Sequence, residues 1–166
     1  MSGKIIITDN IAYVIYQYHK NSSKFPCKKT LQKMLYLVQA EGVDLGFEYG
    51  IHFYGPYSAD LDEEVISLVA DGIVRFKYVR MSHFMEIDDS LYTVKSNLDK
   101  SQEEKLRAII ARYKDKSPSE LELITTTHYV KENLSQKDVK SVIQGVKKIK
   151  GNKYSTQEIE NEYYNL

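Results

Sequence analysis

Tyr54-Gly55-Pro56-Tyr57-Ser58-Ala59-Asp60-Leu61 is where one periodicity gives way to another. Before it, Phe47, Tyr49, Ile51 and Phe53 alternate with Glu48, Gly50, His52 and Tyr54, a period of two that predicts a half-buried strand. After it, Leu61, Val65, Leu68 and Val69 follow helical spacing to a stop at Asp71-Gly72. Gly55-Pro56 breaks the strand, because Pro fixes φ and Gly permits a close or positive-φ turn, and the chain reverses into the helix. Ser58 is placed to accept from the first free amides of that helix.

Upstream, Leu31, Met34, Leu35 and Val38 mark one face of a helix over residues 28–41, with Gly42 as its stop. Ile11, Val14, Ile15 and Tyr18 mark an earlier helix, opened by the capping cluster Thr8-Asp9-Asn10 and closed by the polar run at 20–23. Phe25-Pro26 reads as an extended linker between them. Downstream, Val74, Phe76 and Tyr78 alternate with Arg75 and Lys77 and return over residues 83–87, a hairpin with Met81-Ser82 near its turn. Asp88-Asp89 reads as a turn and residues 91–94 as a third short strand.

After Lys100 the pattern is helical to the end. Leu106, Ile109, Ile110 and Tyr113 mark one helix. Ser117-Pro118-Ser119-Glu120 combines a capping box with proline at the first helical position. The helix it opens carries Leu121, Ile124 and His128 on one face and Leu123, Thr127, Val130 and Leu134 on another, which predicts burial on two sides. The box pattern recurs at 135–138, before Val139, Val142, Ile143 and Val146, and at 155–158, before Ile159 and Tyr163. The predicted fold is mainly α with α+β character. It is one helical domain over residues 1–166 with a small antiparallel, winged-helix-like β-hairpin or sheet.

Composition narrows the function classes. With 166 residues, 42% apolar and 28% charged, the chain can bury a core without staples. Lys plus Arg equals Asp plus Glu at 23 each, so no global field steers it onto a polyanion. Cys27 alone excludes an intrachain disulfide framework and a multi-cysteine metal cluster. No apolar run is long enough to span a membrane, and the run at 5–7 is too short for a signal peptide, so a cytoplasmic location is expected. Fourteen Tyr against five Phe and no Trp suit half-buried and interface positions, and an AT-rich codon supply produces the same enrichment. His19, His52, His83 and His128 show no i, i+4 metal spacing, and H-E-x-x-H, P-loop, G-x-G-x-x-G and G-x-S-x-G motifs are lacking. His128 reads as a satisfied core histidine, and Cys27, with no histidine near it in sequence, as an ordinary or redox-sensitive thiol. No catalytic set, metal or cofactor is expected.

Charge is unevenly placed. Between Asp9 and Glu41 there is no acid, whereas Lys20, Lys24, Lys28, Lys29 and Lys33 are present. Asp60, Asp62, Glu63, Glu64 and Asp71 crowd the helix after Ser58. In a winged-helix reader the helix before the wing enters the major groove, and here it would bring carboxylates toward phosphate. The acids read either as a solvated face with some macrodipole benefit or as a docking patch for a basic partner. A second basic stretch, Lys137, Lys140, Lys147, Lys148, Lys150 and Lys153, reads as a solvated face or as a contact for RNA or an acidic protein.

Four stretches resemble a known family. Leu31-Gln32-Lys33-Met34-Leu35-Tyr36-Leu37 resembles the K-[LM]-[LV]-Y-[LF] helix of the Panacea (SocA-like antitoxin) domain and of the related YwgA-like bacterial proteins. Tyr54-Gly55-Pro56-Tyr57-Ser58 with Leu61 resembles the family's Y-G-P-[YV]-S-x-x-L element, and Asp71-Gly72-Ile73 its closing D-G-I. Ser117-Pro118-Ser119-Glu120-Leu121-Glu122-Leu123, with Thr125 and Tyr129, is similar to the S-P-x-E-L-E-L-x-A-T-x-x-Y helix of the YwgA-like branch. Together they cover roughly residues 8–134, and residues 135–166 add C-terminal helices. The resemblance implies a compact, mainly helical domain with a small β element. Many Panacea members neutralise a toxin by direct binding.

The expected function is therefore a non-enzymatic, antitoxin-like protein-interaction module acting on a cytoplasmic partner protein. Its expected partner-binding residues are Lys33, Tyr36, Tyr54, Gly55, Pro56, Tyr57, Ser58, Asp60 and Glu64, with Lys33 and Tyr36 lining one cleft beside Tyr54 and Tyr57. Gly55, Pro56 and Ser58 read equally as fold punctuation. One alternative is a nucleic-acid-binding regulator using Lys28, Lys29, Arg75, Lys77 and Arg80. Another is a small-molecule-binding domain.

Overall fold

A computed structural model describes residues 3–166. It is mainly helical with α+β character. The elements run β1 (Ile5–Thr8), α1 (Asn10–Ser22), α2 (Lys28–Ala40), β2 (Gly50–His52), β3 (Gly55–Tyr57), α3 (Ala59–Ala70), β4 (Arg75–Val79), β5 (Ser82–Glu86) and β6 (Tyr92–Lys95). Then follow α4 (Lys100–Tyr113), α5 (Pro118–Asn133), α6 (Val139–Lys150) and α7 (Thr156–Asn165).

The helix starts follow the capping chemistry. Asp9 accepts from the Ala12 amide, Ser58 from Leu61 and Asp99 from Gln102, each satisfying an amide that the helix leaves open. Ser117 and Ser155 form full capping boxes with Glu120 and Glu158. The start of α6 differs from expectation. Asp138, rather than Ser135, is the cap and accepts from the Ser141 amide at 3.1 Å. Leu134 has already turned the chain into extended backbone, so Ser135 lies outside the helix.

The main core gathers Ile11, Val14, Ile15, Leu31, Leu35, Val38, Leu61, Met85, Leu106, Ile110, Leu121 and Ile124. A second, smaller cluster joins Leu123 and Val130 of α5 to Val142, Val146, Tyr154 and Ile159. Helix α5 therefore has apolar neighbours on two sides, as its double stripe predicted. Gly145 permits this contact, because a Cβ there would stand 2.6 Å from Val130 Cγ1. Among the described residues no helix is long and apolar enough to cross a membrane.

Three strand expectations are corrected. The period-two run at 47–54 forms a strand only over Gly50–His52. Phe47 is held instead by a side chain, with Gln39 Nε2 donating to its carbonyl and Gln39 Oε1 accepting from its amide, both at 2.9 Å. Gly55-Pro56 does not end the β structure. It lies in the return arm of a hairpin, with Ile51 opposite Pro56 and His52 opposite Gly55, and the turn falls at Phe53-Tyr54. Pro56 tolerates this edge place because its only backbone hydrogen-bonding group, the carbonyl, is taken by a side chain described below. Finally, β6 does not extend the β4–β5 hairpin. It pairs in parallel with β1, Ile5 opposite Tyr92 to Thr8 opposite Lys95, so the β structure is not wholly antiparallel. Residues so far apart in sequence leave no local signal of their pairing.

Candidate functional site

The β2–β3 hairpin is clamped to the helices from below. From α2, Lys33 Nζ donates to the Pro56 carbonyl at 2.6 Å. Gln32 donates to the Ser58 carbonyl and accepts from the Ser58 amide, both at 2.9 Å. From α6, Lys150 Nζ donates to the Phe53 carbonyl at 2.6 Å. Gly55 has φ +94 and passes so close to α5 that a Cβ would lie 2.6 Å from Thr126 Oγ1. Both the φ and the approach require glycine.

Under the hairpin sits a charge hub. Glu122, the second acid of the Glu120-Leu121-Glu122-Leu123 stretch, has a side chain 0% exposed. Lys29 Nζ lies 3.1 Å from its Oε1, while Lys150 at 3.2 Å and Lys153 at 2.6 Å face Oε2. The Tyr154 hydroxyl donates to the same Oε2 at 2.6 Å. Burial pushes the carboxyl pKa up, but hydrogen bonds from Lys153, Tyr154 and Lys29, with the Lys150 charge, outweigh it and hold it down at about 2. The Tyr54 ring roofs the hub, with its centroid 4.2 Å from Lys29 Nζ and 5.8 Å from Lys153 Nζ.

Beside the hub, a cleft of about 370 Å³ opens between α2 and the hairpin. Lys28, Lys29, Gln32 and Lys33 line it on the α2 side, His52, Phe53, Tyr54 and Tyr57 on the hairpin side, and Asp62 of α3 at its edge. Asp62 accepts from the Tyr57 hydroxyl at 3.0 Å and lies 3.9 Å from Lys28 Nζ. Lys33 is 2% exposed, and burial lowers its pKa to about 8 although the Glu122 charge acts to raise it.

Lys33, Tyr54, Gly55 and Tyr57 are thus brought together. Gly55, Pro56 and Ser58 are buried and shape the hairpin from within. Asp60 is exposed in a neighbouring recess with Glu48, Tyr49 and His52, and Glu64 is exposed further along α3, its carboxyl pKa raised by partial burial and by Asp9 and Asp60. Tyr36 does not share the cleft with Lys33, contrary to expectation. Three residues along an α-helix turn the side chain to an adjoining face, and Tyr36 instead lines a recess with Tyr49, Tyr129 and Glu132. There its hydroxyl is 2.7 Å from His128 Nδ1, the partner that His128 was expected to find.

The alternative nucleic-acid set is divided. Lys28 and Lys29 are in the cleft, whereas Arg75 and Lys77 lie on β4, with Lys77 3.8 Å from Glu86, and Arg80 is at the β4–β5 turn with φ +56.

Glu122, Tyr154 and Phe53 were not foreseen as site residues, and Lys150 and Lys153 were read only within the basic stretch, as a solvated face or a contact for RNA or an acidic protein. For Glu122 a signal was present, since a carboxylate between Leu121 and Leu123 on a helix read as buried on two sides needs a cationic partner. For the others, nothing local showed where they converge. No protein-family model matches this chain, and no curated protein matches it.

Proposed function

We propose that this protein is a non-enzymatic protein-interaction module whose partner docks on the tip of the β2–β3 hairpin and the adjacent start of α3. One observation carries the reading: Phe53 is 84% exposed at the tip of a hairpin whose backbone is clamped by Lys33 and Lys150. A large aromatic in water gains nothing for the free fold, and a rigid one loses little entropy on docking. Tyr54 stands edge-to-face with it at 5.0 Å, and Asp60, Glu63 and Glu64 supply exposed acids that suit a basic rim on the partner. The resemblance to Panacea domains makes a small protein toxin the first partner class to test.

The experiment compares stoichiometric capture and dissociation constants for the wild type and Phe53→Ala. An anchor of this kind contributes about 2 kcal/mol or more, so the substitution weakens the complex about thirtyfold. The thermal midpoint barely moves, because the side chain is in solvent. Equal affinity of wild type and variant for every captured protein, or no stoichiometric capture by the wild type, refutes the proposal.

A further inference from the structure

The cleft under the hairpin has a chemistry that protein docking at Phe53 does not use. Lys28, Lys29 and Lys33 line it against one carboxylate, Asp62, which lies 3.9 Å from Lys28 Nζ, an excess of two positive charges when all are ionised. Lys150 and Lys153 spend theirs on Glu122, and Lys29 faces both Glu122 and the cleft. Lys33 differs: its ammonium forms no ion pair among the described residues and has one hydrogen-bond partner, the Pro56 carbonyl. An ammonium has three donors, and burying one without a counter-charge is costly. An anion in the cleft supplies that counter-charge. The site lies at the start of α2, whose first turn has no acid, so the helix dipole acts in the same direction. Opposite these lysines, His52, Phe53, Tyr54 and Tyr57 make an aromatic wall, and the volume of about 370 Å³ falls in the usual range for a small-molecule site.

We propose that this cleft binds a phosphorylated small molecule bearing a flat ring, of the nucleotide class, with its phosphate against Lys28, Lys29 and Lys33 and its ring against His52 and Tyr54. A dianionic phosphate fits the excess charge better than a single carboxylate, and the aromatic wall fits a ring better than a sugar. The cleft shares Phe53 and Tyr54 with the docking surface at the hairpin tip, but its lysines take no part in docking and its test needs no partner protein, so either reading can fail alone.

Calorimetric titration at low salt and pH 8, with AMP, adenosine and inorganic phosphate as probes, tests it. AMP binds most tightly, phosphate more weakly, and adenosine gives no detectable heat. Lys28→Gln, at a partly exposed position, weakens AMP about tenfold, and Lys33→Met weakens it about tenfold to a hundredfold. Lys33 carries the specific signature. With its pKa lowered to about 8 by burial and by Lys29 and Lys150 against the pull of Glu122, it is partly deprotonated at pH 8. Anion binding then draws in protons, read as a dependence of the heat on buffer ionisation enthalpy. This uptake is absent in Lys33→Met. The proposal is overturned if AMP and phosphate at about 10 mM neither release heat nor raise the midpoint. It is equally overturned if adenosine matches AMP, if phosphate alone matches AMP, or if both lysine variants bind AMP like the wild type.

Discussion

Glu122→Gln removes the charge at the centre of the hub while keeping its shape. The carboxyl pKa falls from 4.5 to about 2 in the folded protein, a shift worth about 3 kcal/mol. Breaking a buried ion pair by neutralising one partner costs a similar amount, about 3–5 kcal/mol. At pH 7 the variant should therefore lose about 3 kcal/mol, which for a chain of this size lowers the midpoint by about 6–12 °C. The pH dependence is the sharper test. Because the folded pKa is depressed, the stabilisation is fully present above pH 4.5 and is lost as pH falls through about 2. Urea unfolding of both proteins across that range should show a gap that is wide at pH 5 and nearly closed at pH 2. Removing the carboxylate also leaves Lys150, 3% exposed, without a counter-charge, so amide exchange should quicken in β2–β3 before the core of α2. A loss below about 1 kcal/mol at pH 7, or a gap unchanged at pH 2, would refute the hub as a source of stability.

The lysines around it should separate by burial: Lys150→Met destabilises more than Lys153→Met, because their side chains are 3% and 41% exposed, and paired urea titrations show the order. Lys33 gives the same sign of pH dependence as Glu122 in a different window, although here it is the charged form that burial disfavours. Its folded pKa of about 8 lies below the unfolded value of 10.5, so wild-type stability should rise between pH 8 and 10 by up to about 1.4 kcal/mol per pH unit. Lys33→Met should lose the Lys33 part of that rise and keep the part from Lys150, whose pKa burial also lowers. Above about pH 10 the buried Tyr36, Tyr49 and Tyr154, whose pKa values are raised, reverse the trend in both proteins. Gly55→Ala should cost about 1–3 kcal/mol from its φ of +94 alone, and more from the approach to Thr126 Oγ1; adding Thr126→Ala relieves only the second part in a double-mutant cycle. Gly145→Ala overpacks the α5–α6 contact by about 1–3 kcal/mol, and Val130→Ala in the same chain should recover part of it on thermal unfolding.

The helices were legible because their signals are local. Asp9, Ser58, Ser117 and Ser155 are short polar acceptors followed within four residues by apolar residues at helical spacing, and each caps the helix that it announced. Near the hairpin the same reasoning misjudged Gly55-Pro56, where a turn signal sits inside a strand because the Lys33 ammonium and Gln32 amide supply what a neighbouring strand would. It also placed Lys33 with Tyr36, which share a helix and a motif but open onto different recesses.

The chain alone determined where helices begin, which faces carry apolar side chains, and that α5 would be covered on both sides, since these follow from spacing over a few residues and from caps satisfying open amides. Tertiary structure alone decided the parallel pairing of β1 with β6 and the meeting of Lys29, Lys150, Lys153 and Tyr154 on Glu122. Equal numbers of acids and bases say nothing about which of them meet out of water, and the strength of a charge pair is set by its distance and burial.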